Sequence, residues 1–131
     1  MPTARDIMSK KVHAIDREAT ISDAVLEMNE HNIQSLIVGP QSATDTYGII
    51  TMRDVVYKVV SKGLGLNEIK VFEVMTKPVI VLLPELSVKH VARLFANNKV
   101  SRAPVFDGGK LVGMVSLKDL LADLHLVDCL K

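Results

Sequence analysis

A chain of 131 residues with 48% hydrophobic and 24% charged side chains has the composition of a globular protein, which excludes a disordered or collagen-like chain. Sixteen basic and fifteen acidic residues leave a net charge of +1 with no concentrated basic stretch, so we expect no nucleic-acid partner. The sequence has no run of about 18 apolar residues and no secretion signal, so we expect a cytoplasmic protein without a membrane partner.

The first half of the chain predicts the order strand, helix, strand, strand, helix. A short run rich in β-branched residues, "VHAI" at 12–15, predicts the first strand, and "SLIVG" and "YGIIT" predict two more around a polar loop. A helix is predicted between them, because four apolar residues recur at helical spacing after the N-cap candidate Thr20: Ile21, Ala24, Val25 and Met28. A closing helix is predicted to start near Asp54.

The second half repeats this order. Shifted by 67 positions, residues 5–38 fall on residues 72–105 without a gap, and the offset then drops to 65 across a shorter loop. The equivalent segments are the strand "VIVLL", a helix after Ser87 (Val88, Val91, Ala92, Phe95), the strands "APVF" and "LVGMVS", and a closing helix near Asp119. We therefore predict an α+β fold of tandem β-α-β-β-α repeats, with a first repeat at 1–62, a second at 68–131 and a connector at 61–70.

A similar phrase opens both closing helices. "GIITMRD" at 48–54 and "GMVSLKD" at 113–119 each place a hydroxyl residue three positions before an aspartate. One interpretation is a capping box, in which the hydroxyl and the carboxylate satisfy free N–H groups at the start of the helix. The other is a nucleotide site, with phosphate at the helix N-terminus, a basic residue beside it and the carboxylate accepting from ribose hydroxyls. The residues alone leave both interpretations open.

With these phrases, the chain resembles the cystathionine-beta-synthase (CBS) domain pair, also called the Bateman module. The resemblance covers residues 3–127 and rests on "DIMSKKV" and "EVMTKPV", on "NIQSLIV" and "KVSRAPVFDGG", and on the two phrases above. It implies a stand-alone regulatory module that binds an adenosyl ligand (AMP, ADP, ATP or S-adenosylmethionine) in two clefts between repeats related by a pseudo-twofold axis. The ligand would pass a conformational change to an effector protein that the resemblance does not identify, and it leaves open whether Mg²⁺ accompanies ATP.

The resemblance also implies which residues line each cleft. A cleft combines the first strand and the "KVSRAPV"-type segment of one repeat with the Ser/Thr-x-x-Asp of the other. One cleft would use Thr51, Arg53 and Asp54 with Val79, Ile80, Val100, Ser101 and Arg102; the other would use Ser116, Lys118 and Asp119 with Val12, His13, Ile33, Gln34 and Ser35. The aspartates would hold ribose hydroxyls, the hydroxyl residues would face phosphates, the first strands would read adenine through their backbone, and the basic residues would offset phosphate charge.

The two clefts are predicted to be unequal. The second repeat has "SRAPV", whereas the first reads "QSLIV", without the arginine and without the proline. By this assignment one cleft has Arg102, and the other has Gln34 and Ser35 at the corresponding positions. We therefore expect the Arg102 cleft to prefer phosphorylated ligands.

No catalytic or metal-binding motif stands out in the sequence. There is no glycine-rich phosphate loop and no recognisable catalytic spacing of acids, serine, cysteine and histidine, so we expect no enzyme and no catalytic cofactor. The lone Cys129 and four scattered histidines (His13, His31, His90 and His125) predict no metal site. The alternative to a ligand sensor is a structural dimerisation or docking module with empty or degenerate clefts.

The closing helices predict a homodimer. Each carries a wider apolar stripe than one sheet contact needs: Val55, Val56, Val59 and Val60 in the first repeat, and Leu120, Leu121, Leu124 and Val127 in the second. We expect the extra width to be buried against the other repeat and a second subunit.

Overall fold

The computed structural model describes residues 2–122, which divide into two compact units. The continuous unit is His13–Val79; the split unit joins residues 2–12 to residues 80–122. The described helices and strands are α1 (Ala4–Ile7), β1 (Ala14–Ile15), α2 (Ile21–Glu30), β2 (Ser35–Val38), β3 (Gly48–Thr51), α3 (Met52–Lys58), α4 (Val88–Asn98), β4 (Arg102–Asp107), β5 (Lys110–Ser116) and α5 (Leu117–Leu121), with 3₁₀ turns at Val60–Lys62 and Val71–Glu73. No helix within this part of the chain is long and apolar enough to span a bilayer.

The continuous unit is a three-stranded sheet with α2 packed on one face. β1 runs parallel to β2, and β2 pairs with β3 in antiparallel register. Strand alternation sends Leu36 and Ile50, which are cross-strand partners, into a core shared with Met28 of α2, and all three are fully buried. The neighbouring partners Ser35 and Thr51 therefore lie on the opposite face of the sheet.

The segment predicted as a connector is part of the continuous unit. The carbonyl groups of Ile69 and Leu66 accept the N–H groups of Ile21 and Ser22, at 2.9 and 3.0 Å, so the connector satisfies free donors at the start of α2. Leu66 and Ile69 also pack on the core of the unit. This segment is thus built into the fold and is not a free linker.

The split unit is a hairpin of β4 and β5 with α4 and α1 packed against it. The two strands are antiparallel and turn at Gly108 and Gly109, which both have positive φ angles of 58° and 83°. The apolar face of α4 buries Val88, Val91 and Phe95 in the core of this unit. Helix α1 contributes one fully buried side chain, Ala4, to the same core.

The segments around Ser9 and Thr76, near the start of the two repeats, make equivalent hydrogen bonds. Ser9 and Met114 exchange backbone hydrogen bonds of 2.8 and 2.9 Å in the split unit, and Thr76 and Ile49 do the same at 2.8 and 2.9 Å in the continuous unit. The sheet of each repeat is therefore completed by a segment from the start of the other repeat. The repeat limits at 1–62 and 68–131 were predicted from the sequence. The boundaries of the two compact units in the structure lie at other positions.

The predicted order of elements is confirmed in full in the continuous unit. Both long helices begin where predicted, with Thr20 and Ser87 accepting from the N–H groups of Asp23 and His90. Both closing helices also form, at α3 and α5. The predicted α+β class, with two repeats of similar element order, is therefore confirmed.

One predicted strand is wrong. "VIVLL" at 79–83 forms no strand, and only Leu82 makes an isolated parallel bridge, to Val105. In the first repeat Ile37 donates its N–H to the His13 carbonyl at 3.0 Å, but its counterpart in the second repeat is Pro104, which has no N–H to donate to Ile80. The ladder is therefore limited to the two hydrogen bonds at Leu82, from its N–H to Pro104 and from the Phe106 N–H to its carbonyl.

Candidate functional site

Thr51 and Ser116 each end a strand and cap the helix that follows. The Thr51 hydroxyl accepts the Asp54 N–H at 3.1 Å, and the Asp54 carboxylate accepts the Thr51 N–H at 3.1 Å. Ser116 and Asp119 make the same reciprocal pair at 3.3 and 2.8 Å. We call these two places the strand-to-helix corners. The capping box predicted from the repeated phrase is confirmed at both corners.

Capping alone does not distinguish these corners from the rest of the chain. Thr20 and Asp23 form the same box at the start of α2, with hydrogen bonds of 3.1 and 3.2 Å. The carboxylate at Asp54 is nevertheless well shielded. The Asp54 side chain is 12% exposed, and its Oδ1 lies 3.3 Å from Lys58 Nζ. A carboxylate has about four acceptor positions, so the capping bond and this ion pair leave acceptor capacity at Asp54.

The residues beside each corner come from the strand that pairs with it. Ser35 is the cross-strand partner of Thr51, and the Gln34 carbonyl accepts the Met52 N–H at 3.0 Å. In the split unit, Arg102 is the cross-strand partner of Ser116. The equivalent backbone bond there joins the Leu117 N–H to the Ser101 carbonyl at 3.0 Å.

Within each unit, the "QS" and "SR" pairs thus lie beside the Ser/Thr-x-x-Asp of their own repeat. The sequence prediction grouped Gln34 and Ser35 with Ser116, and Ser101 and Arg102 with Thr51, across the repeats. That grouping stays a prediction.

The two corners differ in charge. Burial lowers the pKa of Arg102, and the negative charge of nearby Asp119 opposes that shift. An arginine with a lowered pKa still carries its positive charge, so a partly buried cation lies at the split unit's corner. Ser35, which is buried and neutral, takes this position in the continuous unit. The predicted inequality between "SRAPV" and "QSLIV" therefore has a structural counterpart.

The basic residues that follow the two corners are exposed. Lys118 lies in the first turn of α5, and Arg53 lies at the same place in α3. The Arg53 guanidinium is 5.7 Å from the centroid of the Tyr57 ring, within the range of a cation–π contact. Both side chains are accessible to an anion from solvent.

The remaining predicted residues are placed by contacts within their own compact units. Ile33 and Val100 are partly buried core residues that follow α2 and α4. Val79 donates its N–H to the Tyr47 carbonyl at 3.0 Å, Ile80 packs on the core of the split unit, and Val12 donates its N–H to the Lys10 carbonyl at 3.0 Å.

His13 is not brought to the Ser35 and Thr51 side chains. Its imidazole stacks on His31, which follows α2, with ring centroids 3.9 Å apart and an interplanar angle of 19°. His31 Nε2 lies 3.3 Å from a carboxylate oxygen of Glu27, one helical turn earlier. The sequence prediction of no metal site missed this cluster of His13, Glu27 and His31. Only the four-residue spacing of Glu27 and His31 is visible in the sequence, because β1 brings in His13.

The closing helices carry an exposed apolar face. Val55, Val59 and Leu120 of the predicted stripes are buried in the cores, whereas Val56 and Val60 are 49% and 54% exposed. Leu121 is 65% exposed. Leu124 and Val127, like His125 and Cys129, lie outside the described residues.

A family model described as the CBS domain matches the chain twice, at residues 4–61 and 71–126. An uncharacterized protein of Methanopyrus kandleri is 34% identical over 78% of this chain and 52% of its own length. The mitochondrial CBS domain-containing protein CBSX3 of Arabidopsis thaliana is 32% identical over 91% of this chain and 63% of its own length. The chain thus spans between half and two thirds of the length of these two relatives.

The solved structures include a similar chain at higher identity. A hexameric CBS-CP12 protein from bloom-forming cyanobacteria is 42% identical and superposes with a TM-score of 0.92, over 100% of this chain and 76% of that chain.

Proposed function

Because the chain belongs to the CBS domain family, as a pair of CBS domains, we propose that it is a regulatory module that binds an adenine nucleotide or another adenosyl ligand and signals to a partner protein. On this proposal it catalyses no reaction, and AMP, ADP, ATP or S-adenosylmethionine acts as a regulatory ligand. Its cytoplasmic location stays a prediction.

The observation that supports this proposal is the repeated strand-to-helix corner. Each corner joins a hydroxyl, a carboxylate and an exposed cation, at Thr51, Asp54 and Arg53 and again at the second repeat. The carboxylate suits a ribose diol because it only accepts hydrogen bonds, and the cation suits a phosphate. A ligand held there can signal only through a difference in its affinity for two conformations of the protein.

Nucleotide binding is tested by isothermal titration of the purified protein with AMP, ADP, ATP and S-adenosylmethionine, with and without Mg²⁺. The matched variants are Asp54→Ala with Asp119→Ala, and Asp23→Ala as the control. All three aspartates lie at the third position of a capping box, so each substitution loses the same hydrogen bond to the N-cap N–H, at about 1 kcal/mol per box.

We expect saturable binding by the wild type and by Asp23→Ala, and none by the double variant. Asparagine at both corners provides a further comparison, since its amide oxygen still caps the helix but the negative charge is gone. If a folded wild-type protein binds none of the four ligands, the sensor proposal fails.

Two exposed valines, Val56 in α3 and Val60 in the 3₁₀ turn that follows it, favour a second property, self-association. We propose that Val56 and Val60 lie in a homodimer interface, because exposed apolar side chains close together in the sequence are a common feature of protein contact surfaces. Aspartate at both positions should lower the mass measured by light scattering, whereas Val81→Asp, at a valine that is 42% exposed outside the closing helices, should not. An unchanged mass in the Val56 and Val60 variant would contradict this interface.

A further inference from the structure

The continuous unit brings three metal-ligating side chains together, of which only His13 is also a predicted cleft residue. One donor atom each from His13, Glu27 and His31 lies within 4.8 Å of the other two. All three side chains are partly buried, so the cluster is accessible from solvent yet sheltered on the protein side. Two imidazoles with one carboxylate form a donor set that Zn²⁺ accepts, with one position left for water.

Regular secondary structure fixes the backbone of each of these residues. His13 directly precedes β1, and its carbonyl is held by the Ile37 N–H at 3.0 Å. Glu27 lies in the last turn of α2, and His31 caps that helix through its N–H to the Glu27 carbonyl at 3.1 Å. Ligands carried at a helix end and a strand end are held more precisely than ligands on loops.

One of the three donor distances already fits a zinc site, and the His13 ring has to turn to complete it. With zinc bonds of about 2.0–2.2 Å, two ligand atoms in a tetrahedron lie about 3.3 Å apart. The His31 Nε2 to Glu27 oxygen distance is already 3.3 Å. His13 has to turn out of its stack on His31, because parallel rings 3.9 Å apart cannot both direct a nitrogen lone pair at one ion. The imidazole ring can turn about χ2 at low cost, because that torsion is broad.

The charges are also compatible with a cation. Neutral imidazoles and one carboxylate give the cluster a charge of −1, which a divalent ion would more than offset. Among the described residues, the Glu27 carboxylate forms an ion pair with no basic side chain other than His31. The donor set of nitrogen and carboxylate favours Zn²⁺ and its neighbours Co²⁺, Ni²⁺ and Cu²⁺ over Mg²⁺ and Ca²⁺, which prefer oxygen.

We propose that His13, Glu27 and His31 form a binding site for a divalent transition metal, best matched to Zn²⁺, and that this site is separate from the Ser35 and Thr51 side chains. On this proposal the imidazole ring of His13 is oriented by the metal ion and does not contact a nucleotide base. The site does not depend on the proposed nucleotide function, because none of its three side chains belongs to a strand-to-helix corner.

The test is a zinc titration of the full chain, prepared without a polyhistidine tag and freed of metal with a chelator. We expect one equivalent of Zn²⁺ per chain, and the spectrum of tetrahedral Co²⁺ when cobalt replaces zinc. His13→Ala and His31→Ala should each weaken binding by at least about tenfold, because changes outside the ligands alone cost 10–100-fold. Glu27→Gln should weaken it too.

Two controls separate this cluster from other donors. His90→Ala removes a histidine whose ring bonds Ser87 at the start of α4, and it should leave zinc affinity unchanged. A His125→Ala, Cys129→Ser variant removes the donors near the C-terminus and should retain the site. The proposal is overturned if the wild type binds no zinc, or if binding survives in His13→Ala and His31→Ala while their circular dichroism shows a folded protein. Nucleotide titrations with chelator present report on the other proposal independently.

Discussion

Replacing Gly113 with alanine should destabilise the protein because Met8 lies directly against the glycine. A Cβ at position 113 would meet Met8 Cγ at 2.8 Å and Met8 Cβ at 3.0 Å, with Met8 Sδ closer still, whereas carbon atoms in contact prefer about 3.5–4.0 Å. Overpacking of this kind costs about 1–3 kcal/mol, and the lower entropy of the unfolded alanine chain returns about 0.4–1 kcal/mol. We therefore expect a net loss of about 1–2 kcal/mol in the free energy of unfolding.

Urea denaturation followed by circular dichroism measures this loss, and thermal melting should show a fall in Tm of about 4–10 °C. Gly39→Ala is the matched control, because a Cβ there has no atom within 4 Å, so it should keep only the gain of about 0.4–1 kcal/mol from the unfolded chain and be no less stable than the wild type. Met8→Ala makes room at Gly113, so the double variant should lose less than the sum of the two single losses. Strict additivity, or a Gly113→Ala protein as stable as the wild type, would refute the contact.

Two further predictions concern charge. The Gln41 N–H and Lys77 lower the pKa of Asp45 from 3.8, so its contribution to stability is present above about pH 4 and falls as the pH drops through the folded pKa. Asp45→Asn should therefore lower Tm at pH 7 and match the wild type increasingly closely in acid; a deficit that grows in acid would contradict this. Arg102→Ala should weaken ATP binding more than adenosine binding, whereas Gln34→Ala should not, and the reverse pattern would refute the assignment.

The sequence predicts the local structure well because local rules determine it. Helical spacing and a hydroxyl N-cap are sufficient to place α2 and α4, and the glycine-rich turn places the hairpin of β4 and β5. The duplicated phrase also predicts both corners, since its capping box depends only on residues three positions apart.

Long-range placements could not be predicted in the same way. Nothing in the sequence shows that Met8 packs on the second repeat and Met75 on the first. The two repeats are alike, so each methionine could equally be predicted to pack on its own repeat. The missing strand at 79–83 depends on Pro104, whose lost N–H matters only once its parallel partner is known. His13 and His31 are 18 residues apart in sequence, and only the parallel pairing of β1 and β2 places them in contact.

The differences between the two repeats concentrate on one face of the sheet. On the face covered by a helix, Leu36 and Val38 of β2 correspond to Ala103 and Val105 of β4, and all four are apolar and buried. On the opposite face, Ser35 and Ile37 correspond to Arg102 and Pro104, so a neutral polar residue becomes a cation and a hydrogen-bond donor is lost.

Packing explains why the residues on the covered face are apolar in both repeats, because a charge placed in either core would have no partner. The other face, where Thr51 and Ser116 also lie, carries the neutral, buried Ser35 in one unit and the partly buried Arg102, close to the negative charge of Asp119, in the other. Two corners with the same capping geometry thus have different electrostatic surroundings. Equal affinity of both corners for a phosphorylated ligand would therefore require compensation from outside the two strand pairs, and unequal affinity is the simpler expectation from the fold.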